Sequence, residues 1–297
     1  MPPEISDRFK IANIREKVNG ALKPDENFDM IKRKNGGEAV STKEGYIAVF
    51  DSGLGGISVL RHLIRTMPGE RYLYFGDSAN APYGSRPTSE VRDLTLAAAE
   101  KLMAQKPLKA LVLACNTATS AAVQDLRQRY PDLIVIGIEP ALKLAADRYP
   151  GGRIGVMATE VTLREEKFNT LLQRFRENGT ITKIPMPGLV QLVEAGKTDS
   201  EEMEELLRTL LAPHIGNLDA VVLGCTHYPL AAKAISKVLG EEVALLDGGE
   251  GTARETRRRL ANAGLLEEGC GELIMENSGS DPGLLERGYG LLRQERE

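Results

Sequence analysis

Lys109-Ala-Leu-Val-Leu-Ala-Cys115-Asn-Thr-Ala118 and Asp219-Ala-Val-Val-Leu-Gly-Cys225-Thr-His-Tyr228 are two versions of one sentence: an apolar run, a small residue, a cysteine, then amide or hydroxyl side chains. A short, uninterrupted apolar run reads as a strand buried on both faces of a parallel sheet. The repeat predicts two similar α/β lobes, each offering one cysteine at the carboxyl end of a strand. Ligands of open parallel sheets bind at that end.

Working outward, the same reading applies from Tyr46 to Leu246. Apolar runs at 46–50, 71–75, 110–114, 133–137, 153–157, 181–185, 220–224 and 243–246 are expected strands. Stretches at 89–105, 120–129, 163–177 and 200–211 carry apolar residues at helical spacing and are expected helices. The fold class is therefore α/β: two similar lobes, each a mostly parallel sheet flanked by helices, with an active site in the cleft between them. The expected division is an extension over 1–45, a first lobe over 46–140 plus 247–297 with Cys115, and a second over 141–246 with Cys225.

The extension differs in composition. Ile5, Phe9, Ile14, Val18 and Leu22 recur at roughly helical spacing, which predicts one short amphipathic helix before a Lys32–Gly37 loop. It reads either as a solvated leader or as a regulatory arm.

Composition sets limits. The chain has 297 residues, 42% of them hydrophobic, which is enough for a sizeable core. A net charge of −4 with interleaved signs provides no basic footprint for nucleic acid. Three cysteines without CxxC spacing fit a reducing compartment better than a disulfide framework. No apolar run reaches bilayer length and no secretory h-region opens the chain, so a cytoplasmic location without membrane contact is expected.

A lone strand-end cysteine is ordinarily inert packing. Cys115 and Cys225 depart from that because both are expected to precede a helix N-terminus, whose N–H dipoles lower a thiol pKa toward neutrality. His227 beside Cys225 adds a proton carrier. Cys115, Cys225 and His227 are too few for a structural zinc site. Asp51-Ser-Gly-Leu-Gly-Gly56 follows the first strand; its glycines are expected to let backbone approach a ligand, and its spacing does not match a dinucleotide fingerprint. Asp51 would repel a phosphate and suit a substrate ammonium group. Cys270, His62 and His214 have no motif around them and read as surface or structural residues.

Asp-Ser-Gly-Leu-Gly-Gly at 51–56, Gly-Asp-Ser at 76–78, Pro-Tyr-Gly at 82–84, Ala-Cys-Asn-Thr-Ala at 114–118 and Gly-Cys-Thr-His-Tyr-Pro at 224–229 together resemble the glutamate racemases, cofactor-independent members of the aspartate/glutamate racemase family. The resemblance implies two lobes clasping L- or D-glutamate, with Cys115 and Cys225 as the acid/base thiols, assisted by His227 and Asp51. It places substrate contacts at Asp51, Ser52, Pro82, Tyr83, Gly84, Asn116, Thr117, Thr226 and His227. Glu194 falls where the family has a glutamate supporting that histidine. Met186-Pro187-Gly188 departs from a commoner cysteine-containing version, and Asn80 stands where many members carry Arg. The resemblance further implies that the first-lobe thiol deprotonates the D-enantiomer and the second the L-enantiomer, with D-glutamate going to peptidoglycan and no cofactor or metal required. It admits a homodimer, and it makes residues 1–45 the candidate site for a UDP-muramoyl-alanine nucleotide activator. Two alternatives remain open at this point: a racemase for aspartate or a related amino acid, and a non-catalytic amino-acid-binding module.

Overall fold

The structure, a computed structural model, describes residues 10–11, 43–139, 141–159, 162–163, 173 and 179–294. Among these residues ten strands alternate with helices. The strands are β1 (Lys10–Ile11), β2 (Tyr46–Asp51), β3 (Arg71–Gly76), β4 (Leu108–Leu113), β5 (Ile134–Gly137), β6 (Gly152–Ala158), β7 (Gly179–Pro185), β8 (Ala220–Leu223), β9 (Ala244–Leu246) and β10 (Glu272–Asn277). The helices are α1 (Ile57–Thr66), α2 (Thr88–Gln105), α3 (Asn116–Arg129), α4 (Ala141–Arg148), α5 (Leu189–Glu194), α6 (Glu201–Leu211), α7 (Ala232–Leu239), α8 (Gly249–Asn262) and α9 (Gly283–Arg293). Among the described residues no helix is long and apolar enough to cross a membrane.

The strands form two sheets, in the orders β1-β10-β3-β2-β4-β5 and β7-β6-β8-β9. Every pairing is parallel. Both sheets are flanked by helices, as expected for the two-lobed α/β class. β2 is buried at all six positions, because helices cover both faces and leave no reason for polar alternation. One apolar cluster runs from Ile47, Tyr72 and Val112 of the first sheet through Leu54 and Ile57 to Met157, Leu189 and Leu223 on the second-sheet side. The two halves thus share a core on one side while their strand ends face each other at a cleft.

The eight expected strands are present within two residues at each end. β10 was not expected. Its apolar segment is only Leu273-Ile274-Met275, and its leading Glu272 looks like surface; in the fold that carboxylate accepts hydrogen bonds from Arg71 Nε (2.9 Å) and Tyr46 Oη (2.8 Å). The amphipathic helix expected near the amino terminus meets β1, where Lys10–Ile11 extend along β10; the rest of that helix, and most of the 163–177 helix, lie outside the described residues.

Candidate active site

β4 ends at Leu113 and α3 begins at Asn116, so Cys115 becomes the N-cap residue, with φ −68° and ψ 125°. The equivalent turn after β8 presents Gly224 and Cys225. A Cβ on Gly224 would stand 2.7 Å from the Met157 carbonyl oxygen of β6, so only glycine lets β8 end there and turn its thiol inward. Both cysteines line one cavity of about 270 Å³. Ser52, Pro82, Tyr83, Gly84, Asn116, Thr117, Thr226, His227 and Glu194 line it too.

Asp51 does not. Its carboxylate lies behind the wall with no exposed surface, accepting from Gly53 N (3.0 Å) and from the Thr226 hydroxyl (3.0 Å). Burial raises its pKa, while His227, the Gly53 amide and the Thr226 hydroxyl oppose the rise. Through these two bonds Asp51 holds the loop after β2 against Thr226.

The two thiols sit in unlike surroundings. Cys115 is buried and lies 3.7 Å from Ser52 Oγ. The expectation of a lowered pKa fails here: burial, then the Asp51 carboxylate, push this thiol up to about 12. The Ala118 N–H at the start of α3 and the Ser52 hydroxyl pull the other way, so the helix end acts in the expected direction and is outweighed. Cys225 instead has a partner, with its Sγ 3.6 Å from His227 Nδ1. His227 Nε2 stands 2.6 Å from Glu194 Oε1, and that same oxygen accepts from Leu54 N at 2.7 Å. Burial alone would lower the His227 pKa; contacts with Cys225 and Glu194 outweigh it and hold the imidazole well above its ordinary value. Glu194 is correspondingly lowered: burial opposes the shift, and bonding to His227 and Leu54 N carries it. Glu194, His227 and Cys225 form a chain along which a proton can be held or passed.

The opposite wall is fixed by Asp77. It accepts from Tyr83 Oη (2.6 Å), Ser278 Oγ (2.6 Å) and Asn80 Nδ2 (3.0 and 3.1 Å). Asn80, the departure from the family pattern, serves here to bind that carboxylate. Sequence reasoning missed Thr159, Thr162, Met186, Pro187, Gly188, Val190 and Gln191 on the second-lobe wall. The signal was present for some of them: Thr159 and Met186 directly follow β6 and β7, at the same strand ends that carry the thiols. Cys270 is exposed, and His62 Nε2 lies 3.7 Å from an Asp247 oxygen; neither lines the cavity.

The Asp/Glu/Hydantoin racemase family model matches residues 48–256. A glutamate racemase of Clostridium perfringens (strain SM101) is 46% identical over 253 residues, spanning 84% of this chain and 97% of that protein. One from Clostridium kluyveri is 47% identical over 252 residues, with the same coverage of 84% and 97%. Among solved structures, a Bacillus anthracis glutamate racemase superposes with a TM-score of 0.75 at 32% identity, covering 85% of this chain and 96% of that one. The Escherichia coli glutamate racemase in complex with L-glutamate and the activator UDP-MurNAc-Ala gives a TM-score of 0.74 at 30% identity, over 84% and 94% of the two chains. With two strand-end thiols on one cavity, and kinship of this depth over most of its length, the chain belongs to the Asp/Glu/hydantoin racemase family and, within it, to the glutamate racemases.

Proposed function

We propose that the protein interconverts L- and D-glutamate by moving a proton between the two faces of the α-carbon, using Cys115 and Cys225. The single observation that carries this reading is that both thiols line one cavity from the strand ends of two different sheets. Inversion requires removal of a proton from one face and delivery to the other, so a base and an acid must flank the carbon.

The α-proton is a very weak acid, and the carbanion needs electrostatic stabilisation. Ser52, Asn116 and Thr117, with the backbone N–H of Thr226, whose hydroxyl proton goes to Asp51, are the donors that would hold the α-carboxylate as it takes on enediolate character; Pro82, Tyr83 and Gly84 close the opposite wall. In the L-to-D direction the Cys225 thiolate, held beside a protonated His227, takes the proton, and Cys115 delivers its own. A thiol pushed up to about 12 carries a proton at neutral pH, which suits it to that acid role. In the reverse direction the roles exchange, and Cys115, having given up its proton, is the stronger base.

The lobe division at 46–140 plus 247–297 and 141–246 belongs to this reading, as does a cytoplasmic supply of D-glutamate for peptidoglycan. The 1–45 extension is the proposed route for a UDP-muramoyl-alanine activator, by kinship with the E. coli protein solved with UDP-MurNAc-Ala. Deleting residues 1–42 should then abolish any response to the nucleotide; an unchanged response would remove the extension from that role. A homodimer would appear as twice the chain mass in light scattering.

The activity itself is tested by circular dichroism of the full-length protein with L-glutamate, D-glutamate or L-aspartate, without pyridoxal phosphate. Loss of optical signal from both glutamate enantiomers, prevented by Cys115→Ser or Cys225→Ser, is the expected result. Turnover of aspartate alone would move the assignment to that substrate; silence on all three would leave a binding module.

A further inference from the structure

The Asp51–Gly56 loop contains glycines that the sequence alone would assign to a ligand. In the fold they face protein. A Cβ on Gly55 would stand 2.5 Å from His227 Nδ1 and 2.6 Å from Thr226 Oγ1. One on Gly53 would overlap the Glu194 carboxylate, with Oε1 closer than any real Cβ approaches an oxygen. Neither glycine has a left-handed φ, so alanine at either position meets no backbone penalty, only these neighbours.

The space kept open is the space in which the Cys225 side of the site is assembled. Glu194 Oε1 reaches His227 Nε2 and the Leu54 amide together, and the Leu54 amide is presented by the backbone between the two glycines. That backbone belongs to the β2 end, whereas Glu194 ends α5 and His227 follows β8. Two further bonds join the same partners: Thr226 Oγ1 to Asp51, and Ser58 Oγ to the Thr226 carbonyl at 2.9 Å. Tyr74 Oη, donating to the Gly53 carbonyl at 2.6 Å, pins the loop from below.

We propose that Gly53 is a positioning residue for the proton chemistry at Cys225: the absence of a side chain there seats the Glu194 carboxylate between Leu54 N–H and His227, so a loop of the first sheet sets the histidine of the second. This rests on the two-thiol reading above and names a determinant of it. Gly55 serves the same assembly by admitting the imidazole itself.

The groups facing His227 are Glu194 from α5, Cys225 on its own turn and Asp51 from β2, with Arg287 of α9 acting on Glu194. Gly53→Ala leaves all of these in the chain and displaces only the carboxylate from the ring. The Cys225 contact still opposes burial but the Glu194 contact no longer does, so the imidazole loses its proton at lower pH than in the wild type.

The test is a double-mutant cycle of Gly53→Ala with Glu194→Ala, read by NMR titration of His227, one of three histidines in the chain, and by kcat against pH for glutamate. Gly53→Ala in the wild-type background should lower the His227 titration midpoint by about one unit or more and cut kcat by about tenfold or more, a fraction of a general acid–base contribution. The alkaline limb of kcat should move down in pH with it, and KM should change less than kcat. In the Glu194→Ala background the same substitution should change either readout by less than about twofold or about 0.3 unit, because no carboxylate remains to be displaced. Equal effects in both backgrounds, or an unmoved titration, would overturn the proposal. A Gly53→Ala variant that folds only when Glu194→Ala accompanies it would support the proposal, and one that folds in neither background would overturn it. The titration decides this independently of substrate: if the wild type fails to racemise glutamate, the reaction assignment falls and the His227 measurement still stands.

Discussion

Cys115 and Cys225 both follow a strand end, but Cys115 caps α3 whereas Cys225 stands two residues before the cap of a short 3-10 turn, Tyr228–Ala231; a buried carboxylate stands behind one and an imidazole beside the other. Only thiolate reacts with an alkylating agent, so the rate at Cys115 should climb about tenfold per pH unit up to roughly pH 10, with no plateau below its high pKa. Mass-spectrometric mapping of iodoacetamide adducts reads this directly, with the exposed Cys270 as the fast internal reference. A plateau near neutrality would mean that burial and the Asp51 carboxylate weigh little on this thiol. Residue by residue, the sequence was a good guide to which side chains meet and a poorer one to their electrostatics. Helix-end reasoning predicts a lowered Cys115 pKa because it counts the Ala118 amide and omits desolvation, which only three-dimensional packing supplies. Asp51 is the converse case: its type suits an ammonium group, and its bond from Thr226, 175 residues away, is one that no local pattern announces.

At the scale of elements, the strand ends do the positioning and small residues permit it. Gly224→Ala should shift the β8 terminus away from Met157 and misplace Cys225, lowering kcat by about 10²-fold or more while KM responds less, since misplacement by about an ångström has that effect on proton transfer. A variant with wild-type kinetics would mean the turn can relax without moving the thiol. Away from the cleft, the far end of the first sheet is held by a buried ion pair, Lys109 Nζ to Glu70 Oε2 at 2.5 Å, with Lys109 also donating to the Lys43 and Leu265 carbonyls. Lys109→Met leaves the Glu70 charge buried with no cation, held only by the Glu267 amide, and should cost about 3–5 kcal/mol in denaturant unfolding. A cost under about 1 kcal/mol would show that water or a rearranged backbone replaces the pair. The parallel strands were legible because burial on both faces writes them as unbroken apolar runs. β10 was hidden for the opposite reason: its leading Glu272 is satisfied by Arg71 and Tyr46, partners 201 and 226 positions distant that no local pattern announces.

For the whole molecule, the repeat of strand, small residue and cysteine was the legible part, and it placed both thiols on one cleft without further information. The relation between the two halves was not legible: the hydrogen bonds from Leu54 to Glu194, Thr226 to Asp51 and Ser58 to Thr226 join segments with no spacing rule between them. Because the two enantiomers are equal in free energy, kcat/KM must be the same in both directions for every variant. The asymmetry of the two thiols therefore appears in proton abstraction from each face, not in the overall efficiency. The most direct measurement is α-proton exchange in D2O, followed by NMR on L- and D-glutamate separately, for wild type, Cys115→Ser and Cys225→Ser. Wild type should exchange and invert both enantiomers. Cys115→Ser should retain exchange only with L-glutamate and Cys225→Ser only with D-glutamate, with inversion severely reduced in both. Loss of exchange from the same enantiomer in both variants, or inversion surviving either substitution at the wild-type rate, would contradict a base on each face.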